Sequence, residues 1–207
     1  MRRVPYTVCV VLLSFLVSGA SQSFAQEKKK SKVAMPSQEE IMKRWEAFAT
    51  PGAPHAWMAS MAGTWNMESK WYMAGPGTEA SVSTGTVVYS MILGGRYLKQ
   101  EATGTMMGMP FEGVGINGYD NFKKKYVGTW IDNMGTAISA MEGTVDAGGK
   151  VLTMWGTMDE PTTGEKNKKV KYVMTAVNAD KHTFEIYDVT TYGEKAPVAV
   201  MTYTRKK

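Results

Sequence analysis

Six carboxylates fall on strand-like runs of this sequence and are the first candidates for chemistry. They are Glu101, Glu112, Asp132, Asp159, Glu185 and Asp188. Two carboxylates that converge in an enclosed site can share general acid–base work. Asp132 is the best candidate for an inward polar group, because Trp130 and Met134 occupy the alternate positions around it. The alternative is that Asp132 is a strand-end acid that caps the turn at 133–135.

Histidine and cysteine offer little for nucleophilic catalysis or metal binding. The chain has two histidines, His55 and His182, whose neighbouring prolines and turn residues are typical of surface positions, and one cysteine, Cys9. A Ser-His-Asp triad would have to use one of these histidines. A zinc site normally needs several His or Cys ligands at characteristic spacings, which are absent. We expect no triad, no metal site and no cofactor.

Methionine is unusually frequent, with 17 residues. Met106, Met107 and Met109 crowd one loop, and Met141 is among those on strand-like runs. Flexible thioethers fill irregular space and adapt to varied apolar ligands. The methionines therefore indicate either a pliable ligand cavity or a methionine-rich core without a ligand. Copper(I) binding through Met107 and Met109 would lack support from His or Cys.

The first residues have the pattern of an export signal. Arg2 and Arg3 precede an apolar run at 7–17, and Ser23-Phe24-Ala25 fits a signal-peptidase site. The apolar run is shorter than the roughly 20 residues of a membrane-spanning helix. Cys9 lies inside it rather than at its end, which argues against a lipoprotein. We predict a signal peptide at 1–25 and a periplasmic or extracellular protein.

Cleavage would remove two of the 24 basic residues and leave 182 residues with a net charge of +3. The basic residues concentrate at 28–32 and 166–171, where they are typical of a solvated linker and loop. Nucleic-acid binding is not expected from so mild an excess. No later segment is apolar enough to cross a membrane, and the length fits one domain.

The mature chain divides into a tether at 26–36, helices at 37–62 and strands at 63–207. Ser37 and Glu40 form a capping-box pattern, and Ile41, Trp45 and Phe48 recur at helical spacing. From residue 63 the hydrophobic period becomes two, with breakers after every 8 to 12 residues or so. This pattern predicts about nine or ten antiparallel strands, and the lack of βαβ alternation excludes a parallel sheet.

The dipeptide Gly-Thr occurs eight times, mostly inside the strand-like runs, at 63, 77, 85, 104, 128, 135, 143 and 156. Glycine weakens a strand, so its repeated use indicates sharp bends or close strand approach, as in a small closed barrel. Chance pairing in a chain rich in both residues is the alternative. We favour a barrel, because closure also removes exposed sheet edges.

Several motifs carry a family resemblance. Gly63-Thr64-Trp65 after a short helix resembles the G-x-W signature of the calycin superfamily, the lipocalins and their relatives. That resemblance implies that an arginine of the last strand, Arg205, packs on Trp65 and closes the barrel. The motifs at 92–98, 106–113, 118–120 and 126–132 are similar to the bacterial domain-of-unknown-function 1579 family. The resemblance implies an all-β, calycin-like, up-and-down barrel of about 8–10 strands and brings no assigned activity.

These observations favour the binding of a small, largely apolar molecule inside the barrel. The candidate ligand contacts are Arg96, Gln100, Trp130, Asp132, Met141 and Trp155. The two tryptophans could instead be structural plugs. The alternative function is an interaction or scaffold protein with a filled barrel, and a hydrolase-like enzyme that uses barrel carboxylates ranks third. No protein partner is indicated.

Cleavage after Ala25 gives the first testable expectation. N-terminal sequencing of the exported protein should begin at Gln26. A mature chain that retains the apolar run at 7–17, or a chain found only in the cytoplasm, would contradict the predicted localisation.

Overall fold

A computed structural model describes residues 35–207. In it, the part of the sequence with a two-residue hydrophobic period forms ten strands. The described helices are α1 (Gln38–Ala49), α2 (Ala53–Ala59) and α3 (Val189–Tyr192). The strands are β1 (Gly63–Trp71), β2 (Ser81–Ile92), β3 (Tyr97–Met106), β4 (Met109–Asp120), β5 (Lys125–Asp132), β6 (Ser139–Val145), β7 (Val151–Glu160), β8 (Glu165–Asn178), β9 (Lys181–Asp188) and β10 (Ala199–Arg205). The predicted signal peptide and most of the predicted tether lie outside the described residues.

The strands form one closed antiparallel barrel. Each strand pairs with the next one along the chain, and β1 also pairs with β10. Across this β1–β10 seam, Trp65 stands opposite Arg205 and Trp71 stands opposite Ala199. Because the seam joins the first and last strands, the sheet has no open edge. The prediction of an all-β, up-and-down barrel of about 8–10 strands is confirmed.

Strand glycines mark places where neighbouring backbones approach closely. Gly85 of β2 and Gly104 of β3 stand opposite each other. A Cβ at Gly104 would lie 2.6 Å from the carbonyl oxygen of Thr84 and 2.8 Å from the Cα of Gly85. No side chain fits at such a distance. A Cβ at Gly143 or Gly156 would likewise clash with a backbone carbonyl oxygen of the neighbouring strand. Four of the eight Gly-Thr pairs, at 85, 104, 143 and 156, therefore occur where the close approach of two strands requires glycine.

The up-and-down path places alternate connections at opposite ends of the barrel. The base carries the turns at 93–96, 121–124, 146–150 and 179–180, and the mouth is formed by the connections at 72–80, 107–108, 133–138, 161–164 and 189–198. Helix α2 covers the base. Its Trp57 Nε1 donates to the carbonyl of Gly149 at 2.8 Å, and its Met58 side chain is buried in the core.

Helix α1 also contacts the base, but none of its residues is buried. The hydroxyl of Ser37 accepts from the backbone N–H of Glu40 at 3.2 Å, whereas the Glu40 carboxylate pairs with Arg44 instead of completing the capping box. Asn121 in the β4–β5 turn reaches three carbonyl oxygens at the end of the helix, within 3.3 Å. The apolar face that includes Trp45 is exposed.

The Arg205 side chain links the β1–β10 seam to the segments that form the base of the barrel. Its Cζ atom lies 4.2 Å from the centroid of the Trp65 ring, which is only 2% exposed. Its Nη1 donates to the carbonyl of Ala62 at 2.7 Å and its Nη2 donates to that of Ser60 at 3.0 Å. Its Nε donates to Ala179 at 3.1 Å. One side chain thus joins β10, β1, the segment after α2 and the β8–β9 turn.

Removal of Trp65 should be more damaging than removal of its partner. Trp65→Ala should lower the free energy of unfolding by about 3–5 kcal/mol, the usual cost of deleting a buried large aromatic. Arg205→Ala should cost less, because a cation over an indole contributes about 0.5–2 kcal/mol and the guanidinium is partly exposed. Urea unfolding followed by circular dichroism measures both.

Arg96→Ala is the matched control, because Arg96 is an exposed arginine in another base turn, with a single hydrogen bond to Leu93. Its effect should stay within about 0.5 kcal/mol. Equal losses for Arg96→Ala and Arg205→Ala would show that the seam contact contributes nothing specific.

Candidate ligand-binding site

The inward faces of the strands enclose a cavity of about 670 Å³ that opens at the mouth. Ten of the 17 methionines line it: Met61, Met67, Met73, Met106, Met134, Met141, Met154, Met158, Met174 and Met201. The volume lies within the roughly 300–1,000 Å³ typical of small-molecule sites. The methionine excess therefore surrounds open space, which the alternative of a filled core does not provide.

Trp130 forms a flat, fixed platform on the cavity wall. Its indole lies over Gly113 and Gly115 of β4, where a Cβ at Gly113 would come within 2.7 Å of the ring atom Cη2. Phe111 stacks beside it, with ring centroids 6.4 Å apart and planes inclined by 20°. The two glycines thus leave a recess in β4 that matches the indole, and a bound molecule would meet a preformed aromatic surface.

Asp132 holds this platform and also caps the next turn. One carboxylate oxygen accepts from Trp130 Nε1 at 2.8 Å, and the other accepts from the backbone N–H of Met134 at 3.0 Å. Asp132 therefore faces the cavity and caps the turn at once, so both interpretations of it from the sequence are right. Because the protein itself occupies both oxygens, Asp132 positions Trp130 rather than offering a free acceptor.

Two side-chain amides face the cavity without such partners. Gln100 on β3 and Asn117 on β4 line the main cavity and also border a smaller void of about 60 Å³ beneath α2. They are diagonal neighbours, because Gln100 pairs with Gly115 and Asn117 pairs with Leu98. Among the residues described, neither amide has a hydrogen-bond partner. Each leaves a donor and an acceptor available to a ligand or to water.

The floor of the cavity is a cluster of stacked rings around His182. The imidazole lies 4.4 Å from the centroids of both Trp65 and Tyr203, and its Nε2 lies 3.5 Å from the Tyr89 hydroxyl. Its Nδ1 is buried and has no partner among the described residues. Burial, with a further contribution from Arg205, lowers the pKa of His182 to about 4. Burial also raises the pKa of Tyr89 well above its ordinary value, so His182 and Tyr89 are both uncharged near neutrality.

The expectation that both histidines lie at the surface is wrong. His182 is 4% exposed and His55 is 5% exposed. His55 Nδ1 accepts from the backbone N–H of Gly52 at 3.0 Å at the start of α2, and its ring packs edge-on against Tyr119. Local turn residues indicated exposure, but Tyr119 of β4 packs on His55, and Trp65 and Tyr203 pack on His182. These contacts come from segments distant in the sequence.

An ion cluster stands at the mouth. Lys168 Nζ lies 2.6 Å from Asp188 and 3.6 Å from Glu165, and the Lys168 side chain is 7% exposed. The hydrogen bond that Lys168 donates to Asp188 raises the pKa of Lys168. Burial alone would raise the pKa of Asp188, but hydrogen bonds from Lys168 and Thr191 outweigh it and lower that pKa. Both groups are therefore ionised near neutrality and compensate each other.

The six candidate contacts separate into two groups. Gln100, Trp130, Asp132 and Met141 line the cavity. Arg96 lies in the β2–β3 turn and donates to Leu93 at 3.2 Å, while Trp155 faces outward beneath the ammonium of Lys169, 4.3 Å from its ring centroid. The prediction that Arg96 and Trp155 contact a ligand in the interior is therefore corrected.

Of the six strand carboxylates, only Asp132 and Asp188 line the cavity. Glu101 pairs with Lys99 outside the barrel, Asp159 accepts from the backbone of Asn167, and Glu185 accepts from Tyr187. Each of these two acids is held by protein groups. Neither has the free position of a general base.

With the barrel and its cavity described, one comparison identifies the family. Residues 50–205 match the family described as "Protein of unknown function (DUF1579)". The chain belongs to this family. The resemblance carried by its motifs is thus confirmed, and a ten-stranded closed barrel is consistent with a calycin-like fold. No curated protein matches the chain. Within residues 35–207, no helix of this DUF1579 protein has the length and apolar character to span a membrane.

The recess beneath Trp130 gives a prediction for this DUF1579 barrel. Gly113→Ala should displace the indole and lower the free energy of unfolding by about 1–3 kcal/mol, the usual cost of overpacking. The Trp130 indole N–H resonance should shift as its bond to Asp132 is lost.

Gly135→Ala is the control, because a Cβ at that loop position meets no atom within 4 Å. It should cause no comparable loss in urea unfolding. A wild-type stability and an unchanged indole resonance in Gly113→Ala would mean that the platform is not held by this recess.

Proposed function

We propose that this protein binds a small, largely apolar molecule in the barrel interior. The observation that carries the proposal is the open cavity of about 670 Å³ with its wall of thioethers and aromatic rings. Burial of apolar ligand surface there would supply the binding free energy, at roughly 25 cal/mol per Å² removed from water. Trp130 provides a rigid surface, while the methionines adapt to the shape of the ligand.

The open interior favours binding over the scaffold alternative. A scaffold barrel would have side chains that meet across the axis, whereas here only the floor around His182, Trp65 and Tyr203 is filled. The exposed Trp45 and Phe48 of α1 would still suit a protein contact at the base. Such a contact would lie at the end opposite the mouth and would not use the cavity.

We also propose that binding takes place outside the cytoplasm. The support is the sequence at 1–25, with its basic start, apolar run and small residues before Gln26. A protein free of cysteine after cleavage would fold there without a disulfide, for which a domain of this length is large enough.

A dye experiment tests the cavity. An uncharged, environment-sensitive apolar dye such as phenylnaphthylamine should bind the folded protein saturably. Met141→Trp should weaken dye binding by more than it lowers stability, because the larger ring fills space that the native fold leaves open. Fluorescence titration and urea unfolding of the same samples provide the comparison.

Ala140→Trp is the matched control, because Ala140 is the exposed neighbour of Met141 on β6 and lies outside the cavity lining. It should leave the dye affinity unchanged. If Met141→Trp instead costs stability by the 1–3 kcal/mol or so of overpacking and no apolar dye binds the wild type, the scaffold alternative is favoured. Saturable binding that survives Met141→Trp would place the site elsewhere.

A further inference from the structure

Charged and uncharged polar groups lie in different halves of the cavity. Every charged residue that lines it belongs to the mouth half: Asp132, Glu160, Glu165, Lys168 and Asp188. In the described residues, the base half offers only uncharged polar groups, among them the amides of Gln100 and Asn117, the hydroxyls of Tyr89 and Tyr203 and the His182 imidazole. A ligand that fills the cavity thus meets two different electrostatic environments.

The mouth is unfavourable for anions. Four carboxylates and one ammonium line it, and Asp188 and Glu165 already flank that ammonium. An approaching carboxylate would have to displace Asp188 from Lys168 or remain beside uncompensated negative charge. A negative potential in a partly enclosed, low-dielectric space acts strongly on a second anion.

The base half is suited to a neutral hydrogen-bonding group. Gln100 and Asn117 lie on adjacent strands, each three residues from the base end of its strand, and the hydroxyl-bearing Tyr89 stands opposite Gln100. Each amide presents both a donor and an acceptor. Both side chains are half-buried and face the open cavity without a hydrogen-bond partner in the described residues. Their donors and acceptors are therefore available to a polar group of a ligand that enters the cavity.

We propose that the ligand is an uncharged amphiphile whose amide, carbonyl or hydroxyl group is held deep in the cavity by Gln100 and Asn117, and that carboxylate anions of the same size are rejected. This inference rests on the proposed function. It names the ligand class for that same cavity. The apolar part extends along the methionines and Trp130 toward the mouth, where it can pass the carboxylates without carrying charge.

The test is a matched ligand series in competition with phenylnaphthylamine. Decanamide, decanoate and decylammonium each have ten carbon atoms in an unbranched chain and differ in the terminal group. At neutral pH decanamide should displace the dye at least about tenfold more effectively than decanoate, since one hydrogen bond gained or one charge left unpaired is worth on the order of 1.4 kcal/mol. Decylammonium should also bind more weakly than decanamide, because the base half holds no acid.

Two variants remove the amides and nearly keep their volume. Gln100→Met and Asn117→Leu should each weaken decanamide binding about tenfold relative to dye binding. Their urea midpoints should be equal to the wild type or higher, because a group without a partner in the folded protein is removed. Thr103→Val on the outer face of β3 is the control and should change neither affinity.

The mouth carboxylates have their own variant. The double variant Glu160→Gln/Glu165→Gln should reduce the difference in affinity between decanamide and decanoate. Glu185→Gln, on the outer face of β9, should leave that difference unchanged.

Absence of saturable dye binding to the wild type would overturn the proposed function and this inference with it. Two other outcomes would overturn this inference alone. One is that the dye binds, but decanoate or decylammonium binds as tightly as decanamide. The other is that the amide variants lose equal affinity for the dye and for decanamide.

Discussion

The β1–β10 seam is the contact on which the barrel depends. It pairs the first strand with the last, and without it the sheet would have two open edges and no enclosed interior. Arg205 stabilises it by covering the Trp65 ring and donating to Ser60 and Ala62, the carbonyls that follow α2. Trp65 in turn donates to Met61 at 2.9 Å. Strand pairing, base helix and floor are therefore one connected arrangement.

Closure makes an interior, and side-chain type determines how much of it is filled. Near the seam, the rings of Trp65, His182 and Tyr203 pack at 4.4 Å and close the floor. Farther up, thioethers and strand glycines form much of the wall beside the rings of Phe111 and Trp130. The flexible methionine side chains adapt to the wall of the cavity. Because Gly113 has no side chain, the Trp130 ring can lie flat against β4. The cavity thus results from composition as much as from strand number.

Local patterns in the sequence predict the fold well and the site only in part. Alternation and turn spacing indicate the strands, and the two-residue separation of Trp130 and Asp132 places both on one face. Asn117 lies among glycines, and the local alternation of apolar and polar residues does not show that its side chain lies on the inner face of β4. Lys168 lies in a lysine run that resembles a solvated loop, and His182 is covered by residues from across the seam. These inward positions follow from register and closure, which no local window contains.

The seam also differs from every other strand pair in the distance it spans along the chain. The remaining pairs join consecutive strands, whereas Arg205 and Ala62 are separated by 143 positions. Pairing of distant segments requires a large loop to close first, so we expect such contacts to form late in folding. During synthesis the barrel cannot close until its last strand is available. A contact made after the rate-limiting step stabilises chiefly by slowing unfolding. The arginine at the end of β10 therefore governs the lifetime of the closed barrel more than the speed of its assembly.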